Sequence, residues 1–264
     1  MAAKSVRSID RTIEILETIA GREVSLAELA RQTNMSPSTV HRLIATLMRH
    51  EYVIQDDDTG RYLLGYKLVE LAEGVRRRGA YLEAVARDVI AKLSQRLGES
   101  VNLAALDHGL PVYLAQADAD RTMRMVTRVG HAVPLHSTAV GKAILAHLPP
   151  DRVEQFLGRE PYPAETPSTI TTADRLEQEL RQVRSRGFAV EREEHEAGLV
   201  SVAAPVFSIG GGIVGAINAS APAGRVRRDD LLEWGPLVTA HAALVSARLG
   251  GPKEPAAVPS LRSA

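Results

Sequence analysis

Apolar residues recur at helical spacing from the start of the chain. Ile9, Ile13, Leu16 and Ile19 predict an amphipathic helix over residues 9–20, ended by Gly21. Ser25 with Glu28 three positions later forms a capping box, in which the hydroxyl takes a free helix amide and the carboxylate reaches back to the cap. It opens a short helix that turns Leu26, Leu29 and Ala30 inward, and Thr33-Asn34-Met35 makes the following turn. Ser36 then Pro37 starts a third helix, whose buried side is Val40, Leu43, Ile44 and Leu47. The pattern next becomes short apolar runs, Tyr52-Val53-Ile54 and Tyr62-Leu63-Leu64, separated by the polar stretch Asp56, Asp57, Asp58, Thr59, Gly60, which predicts a β-hairpin. A short second helix, a tight turn, a polar-faced third helix and a hairpin predict a winged helix-turn-helix over residues 1–65. The alternative is a generic helical bundle carrying a hairpin.

Farther on, Leu68, Val69 and Leu71 predict a linker helix over 66–78 that ends near Arg76-Arg77-Arg78-Gly79, a triplet that either touches phosphate or is solvated. Leu82, Val85, Val89, Ile90, Leu93 and Leu97 predict a second helix over 81–97. The remainder, 81–250, mixes strands and helices. Strands are predicted at Val101–Leu106 and Val112–Gln116 around the turn Asp107-His108-Gly109, at Met123–Arg128, at Phe188–Arg192, and at Ser201–Phe207 and Gly212–Ala219. Helices are predicted from Thr138 to His147, from Thr172 to Arg186 with Gly187 closing it, and from Leu231 to Leu249. Residues 251–264 offer little to bury and are expected to form a flexible tail. The fold class is α+β.

Composition changes this picture only at a few points. No apolar run approaches the ~18 residues of a membrane span, and the charged first residues do not read as a signal peptide. The absence of cysteine removes disulfides and thiolate metal sites and suits a reducing cytoplasm, the expected location. Lys plus Arg equals Asp plus Glu at 32 each, so bulk charge does not mark a nucleic-acid binder. Its distribution says more: between Ser36 and His50 stand His41, Arg42, Arg49 and His50 with no acid, so the third helix can approach phosphate.

The motifs resemble the isocitrate-lyase-regulator (IclR) family of bacterial transcription factors over about residues 5–250. SLAELARQTNMSPSTVHRLIATLMRHEYV and GRYLLGYKLVELA look like its winged module. Pro134-Leu135-His136-Ser137-Thr138-Ala139-Val140-Gly141-Lys142-Ala143, and the block from Arg186 through Glu191, Glu194, His195 and Gly198 to Phe207, look like its GAF-like effector domain. This chain has Glu191 where the family often has aspartate, Ser201 where it often has cysteine, and Ser208 where it often has aspartate or asparagine. The resemblance implies a regulator that binds operator DNA as a homodimer or dimer of dimers, needs no cofactor, and answers to a small-molecule effector, expected to be an organic acid.

The recognition helix is expected to present Ser36, Ser38, Thr39, His41, Arg42 and Thr46 to the major groove. Arg42 is the candidate base reader, because a guanidinium pairs bidentately with guanine. Arg61 and Tyr62 are candidates in the wing. For the effector, the resemblance implies Met125, Thr138, Ala139, Val140, Gly141, Glu191, Leu199, Ser201, Asn218 and Ser220. The residues themselves agree in part: a helix start near Ser137–Gly141 exposes amides that favour an anion, and Asn218 and Ser220 at period two share a strand face. Thr138 as a mere cap is the structural alternative. Enzyme chemistry through His136, Lys142, Glu194 or His195 is the competing function, although no nucleophile-elbow or dinucleotide motif accompanies them and Lys142 reads as a structural ion pair. A metal set of His131, His136, His195 and a carboxylate, or a protein-interaction module, are further alternatives.

Overall fold

A computed structural model describes residues 6–252, without the side chains of 73–78 and 228. The Arg76–Arg78 side chains, and the tail from residue 253, lie outside the described residues. Backbone contacts divide the chain into two compact units, Met1–Arg78 and Gly79–Ala264.

In the first unit, α1 (Arg7–Ala20), α2 (Leu26–Gln32) and α3 (Pro37–Arg49) precede the antiparallel pair β1 (Val53–Gln55) and β2 (Tyr62–Leu64). The start signals work as the sequence predicts. Ser25 accepts from the Glu28 amide and Glu28 returns a bond to the Ser25 amide, and Ser36 accepts from the Thr39 amide with Pro37 behind it. Val24 forms an isolated antiparallel bridge to Tyr62 beside the wing. Ile15, Ile19, Val24, Leu29, Val40, Ile44, Val53 and Tyr62 make the core. Ile9 and Ile13 are 57% and 48% exposed, because α1 carries two apolar stripes and only the Ile15–Ile19 stripe faces this core.

Two helices are predicted over 66–97, but the chain forms one, α4 (Lys67–Leu97). Glycine inside a helix costs only about 1 kcal/mol relative to alanine, so Gly79 without a neighbouring proline does not end it.

The second unit is built on an antiparallel sheet ordered β4-β3-β7-β6-β5. Its strands are β3 (Ser100–Asp107), β4 (Leu110–Ala117), β5 (Ala189–Arg192), β6 (Leu199–Phe207) and β7 (Ile213–Pro222). The β3–β4 turn carries positive φ at both His108 and Gly109, the conformation that a two-residue hairpin turn needs to match strand twist. Side chains alternate across the sheet. One face, with Val101, Leu103, Val202, Val206, Ile217 and Ala219, packs with Ile90 and Leu93 of α4 and with Val238, Ala242 and Val245 of α8 (Arg228–Arg248). The other face, with Ala104, Ala189, Ala203 and Ala216, packs with α5 (Ala139–Leu145) and α7 (Ala173–Arg186).

Two features of this unit differ from the sequence-based expectation. Met123–Arg128 is irregular rather than a strand. The Gln116 side chain accepts from the Thr127 amide and donates to the Met125 carbonyl, so a side chain takes the place of a backbone ladder. An additional helix, α6 (Pro150–Leu157), follows α5. Its short apolar pattern lies too close to Pro149, Pro150 and Gly158 to be read as an element.

Candidate functional site

On the first unit, α3 turns Val40, Ile44 and Leu47 inward, and helical periodicity therefore leaves Ser36, Ser38, His41, Arg42 and Thr46 exposed, with Thr39 half-buried. Ser36 Oγ lies 3.1 Å from Ser38 Oγ and 2.9 Å from Thr39 Oγ1, which ties the hydroxyls into the cap. The Arg42 guanidinium has no ion pair or hydrogen bond among the described residues, whereas its carbonyl accepts from Thr46 Oγ1 at 3.1 Å. The wing residues are a partial correction. Arg61 donates to the Glu23 carbonyl at 3.0 Å and to Glu28 at 3.2 Å, bracing the wing against the α2 cap. Tyr62 is 6% exposed and packs in the core, because β2 alternates its side chains and position 62 falls on the inner face. Asp56 turns inward to accept from the Thr59 amide and hydroxyl, which holds its carboxyl below the ordinary range.

On the second unit, strand register collects the expected pocket residues into rows. Glu191 pairs with Ser201, Ser201 with Ser220, and Ser220 with Ser100, so one row runs across β5, β6, β7 and β3. Ser100 Oγ then donates to the Met125 carbonyl at 2.7 Å, bringing Met125 to the end of the row. The next row is Ala189, Ala203, Asn218, Asn102 and Gln116. Leu199 lies on the same face of β6, one alternation beyond Ser201. Ser100 and Asn102 were missed in the sequence reading. Their signal is the one that marked Asn218 and Ser220, two polar residues at period two in an apolar strand.

These polar groups are buried but not all are paired. Asn218 Nδ2 donates to Ser220 Oγ at 2.6 Å, but Asn218 Oδ1 and both Asn102 amide atoms have no hydrogen-bond partner among the described residues. Such groups cost about 1–3 kcal/mol each when left unmet, so a polar partner on this face would be stabilising. Glu191 is 1% exposed and accepts from Ser201 Oγ at 2.9 Å and from the Glu194 amide at 3.0 Å. Burial dominates those bonds and pushes its carboxyl up to about 7.

Helix α5 packs against β6 and β7 on this face. Thr138 caps it, accepting from the Gly141 amide at 3.1 Å and donating to the Pro134 carbonyl at 2.6 Å, so that amide is already committed. Gly141 has a packing reason for being glycine, since a Cβ there would lie 2.3 Å from the Leu135 carbonyl oxygen. Ala139 and Val140 are buried in the same helix.

The residues of the enzymatic alternative hold the loops around this face. Lys142 Nζ lies 2.6 and 2.7 Å from the two Glu194 oxygens, with Glu179 at 4.0 Å, as the ion-pair reading of Lys142 expects. His136 Nε2 contacts the Pro163 carbonyl at 2.9 Å. Glu165 Oε2 sits between Ser137 Oγ at 2.6 Å and His195 Nδ1 at 2.8 Å, so the serine donates to a carboxylate and, among the described residues, makes no hydrogen bond to an imidazole. Among the described residues, no group of three His, Asp or Glu side chains is placed to hold a metal, and no helix is long and apolar enough to cross a membrane.

Comparison with known proteins agrees with this architecture. The family described as bacterial transcriptional regulator IclR C-terminal matches residues 78–247, and the IclR helix-turn-helix domain matches residues 8–57. The chain is 34% identical to the HTH-type transcriptional regulator KdgR of Escherichia coli over 93% of its own length and 94% of that protein. It is 32% identical to the transcriptional repressor IclR of the same organism, over 95% and 92%. The crystal structure of the Thermotoga maritima IclR superposes with a TM-score of 0.77 at 33% identity, covering 92% of this chain and 99% of that one. An IclR homolog from Microbacterium hydrocarbonoxydans, complexed with 4-hydroxybenzoate, shares the fold at a TM-score of 0.73 and 24% identity, covering 92% and 99%.

Proposed function

Because the chain belongs to the IclR family of bacterial transcriptional regulators, we propose that it binds a two-fold-symmetric operator as a dimer or dimer of dimers, and that a small organic acid on the polar face of the second unit's sheet changes its operator affinity. In this reading residues 1–65 read DNA, 66–80 link, 81–250 sense, and the protein works in the cytoplasm, where its operator lies. The observation that supports the sensor most directly is the set of unmet amide atoms on Asn102 and Asn218. Asn102 Nδ2 can donate to a carboxylate or hydroxyl and the two Oδ1 atoms accept from a hydroxyl. Glu191 joins them as a proton donor when neutral. The apolar stripe of Val6, Ile9 and Ile13, with Val69 and Leu71, supports self-association, since such surface is normally covered. The complex of a homolog with 4-hydroxybenzoate makes hydroxylated aromatic acids a rational first set of probes.

The testing experiment is a thermal-stabilisation screen of the full chain with small organic acids, followed by operator titrations at fixed salt. A hit should shift operator affinity about 5–150-fold, the range of a 1–3 kcal/mol coupling, and operator DNA should shift ligand affinity by the same factor. Ser201→Leu, which fills the row beside Glu191, is expected to weaken that ligand at least about tenfold while the ligand-free protein still binds operator. Calorimetry showing unchanged ligand affinity in S201L would place the effector elsewhere. Arg42→Ala is expected to cost about 1–3 kcal/mol on operator DNA and much less on random DNA, as loss of a bidentate base contact does. Equal weakening on both, in fluorescence anisotropy, would reassign Arg42 to the phosphate backbone.

A further inference from the structure

Away from the sheet rows, α6 and α7 line a cavity of about 850 Å³ that is open to solvent on one side. Leu145, Leu148, Leu176 and Leu180, all buried, form its apolar floor. Val153 and Leu157 of α6 are only half-buried over it, and α6 has no buried residue at all. Protein interiors are close-packed, so a helix whose apolar side hangs over open space leaves its expected contacts unmade. Tyr162 also lines the cavity. It is 7% exposed, and its hydroxyl has no hydrogen-bond partner among the described residues. Burial, then the nearby Glu160 charge, raise its phenol above the ordinary range, so it remains a neutral donor and acceptor.

The rim has a definite sign. Asp151, Glu154, Glu160, Asp174 and Glu177 line the cavity against the two cations Arg159 and Arg184. Arg184 pairs with Glu177 at 2.6 Å and also reaches the Ala146 carbonyl, which leaves Asp151, Glu154, Glu160 and Asp174 against Arg159. An anion entering here meets excess negative charge, and an ammonium meets complementary charge. The volume lies in the range of ordinary small-molecule sites, which combine apolar walls with a few polar groups.

We propose that the α6–α7 cavity is a second ligand site, distinct from the sheet face, that takes a small hydrophobic amine: its apolar body on the four leucines, its ammonium at the carboxylate rim, and a polar atom on the Tyr162 hydroxyl. This site stands independently of the effector proposed for the sheet face.

The test uses the full chain and three isosteric probes: naphthylmethylamine, naphthylmethanol and naphthoate. Calorimetry should show the amine binding best, the alcohol more weakly, and naphthoate at least about tenfold more weakly than the amine. Tyr162→Phe should weaken the amine roughly 2- to 12-fold, the size of one net hydrogen bond. Leu157→Trp, which fills the cavity from the α6 side, should abolish amine binding while far-ultraviolet circular dichroism and the melting transition stay near wild type. Should L157W fail to fold, Y162F decides alone. The proposal is overturned by equal affinity for amine and naphthoate, by no measurable heat with the amine at millimolar concentration, by undiminished amine binding in a folded L157W, or by unchanged affinity in Y162F.

Discussion

Lys142→Met is expected to destabilise the Gly79–Ala264 unit by about 3–5 kcal/mol, the cost of leaving one member of a buried ion pair without its partner. Lys142 is 1% exposed, and both oxygens of Glu194 are within 2.7 Å of its ammonium. Glu194 also receives the Arg192 amide, and its own carbonyl accepts from Thr169 Oγ1 at 2.6 Å. Losing the ammonium therefore disturbs α5, the 193–198 turn and the 165–169 loop together. Burial is the largest influence on Glu194 and pushes its carboxyl up, with Lys142 pulling it back, so the variant should take up a proton there to escape the uncompensated charge. The double variant Lys142→Met, Glu194→Gln removes both charges and should recover most of the loss. Urea unfolding followed by circular dichroism measures all three proteins. A loss below about 1 kcal/mol in the single variant would mean that Glu194 reaches solvent and that the pair does not organise these loops.

Glu191 should make stability fall as pH rises. Its carboxyl stands at about 7 in the folded chain against the ordinary 4.5. Between those values the native state holds a proton that the unfolded chain has released, so unfolding releases it and higher pH favours unfolding. The stabilisation is complete below about pH 4.5, declines through the window up to about 7, and levels off above it. The full change is about 3 kcal/mol. Glu191→Gln keeps the shape and removes the titration. The difference in unfolding free energy between wild type and E191Q, followed from pH 5 to 8, reports this group together with its repulsion from Glu194, whose charge adds to the rise. A flat difference would show that Glu191 is solvated or already ionised. The same titration bears on the proposed effector: an organic anion should lose affinity as Glu191 ionises beside it, and E191Q should remove that loss.

What the sequence disclosed and what it concealed follow a physical division. Caps and turns are local, so Ser25 with Glu28, Ser36 with Pro37, and His108-Gly109 declare their structures within four residues. Strand alternation made Asn218 and Ser220 legible as neighbours on one face. Tertiary placement was harder to read. Which apolar stripe of α1 is inside depends on α3 and the wing, so Ile15 carries the core although Ile9 and Ile13 fit the same helical period. Tyr62 has the look of a wing contact, yet one step of alternation turns it inward. The Met123–Arg128 segment has strand-like residues but is held by Gln116, whose role follows from the sheet register and not from its own neighbours. Ser100 and Asn102 acquire meaning only when β3 is seen beside β7.

The register of those rows has an evolutionary consequence. Ala189, Ala203, Ser201, Ser220 and Ser100 are small side chains on strands held by backbone bonds that do not depend on side-chain identity. Enlarging or repolarising one of them alters the shape that would meet the proposed ligand while leaving strand pairing and the Val and Ile layer behind the sheet in place. Ligand preference in such a chain can diverge after gene duplication by single substitutions, each tolerated by a scaffold that does not need rebuilding.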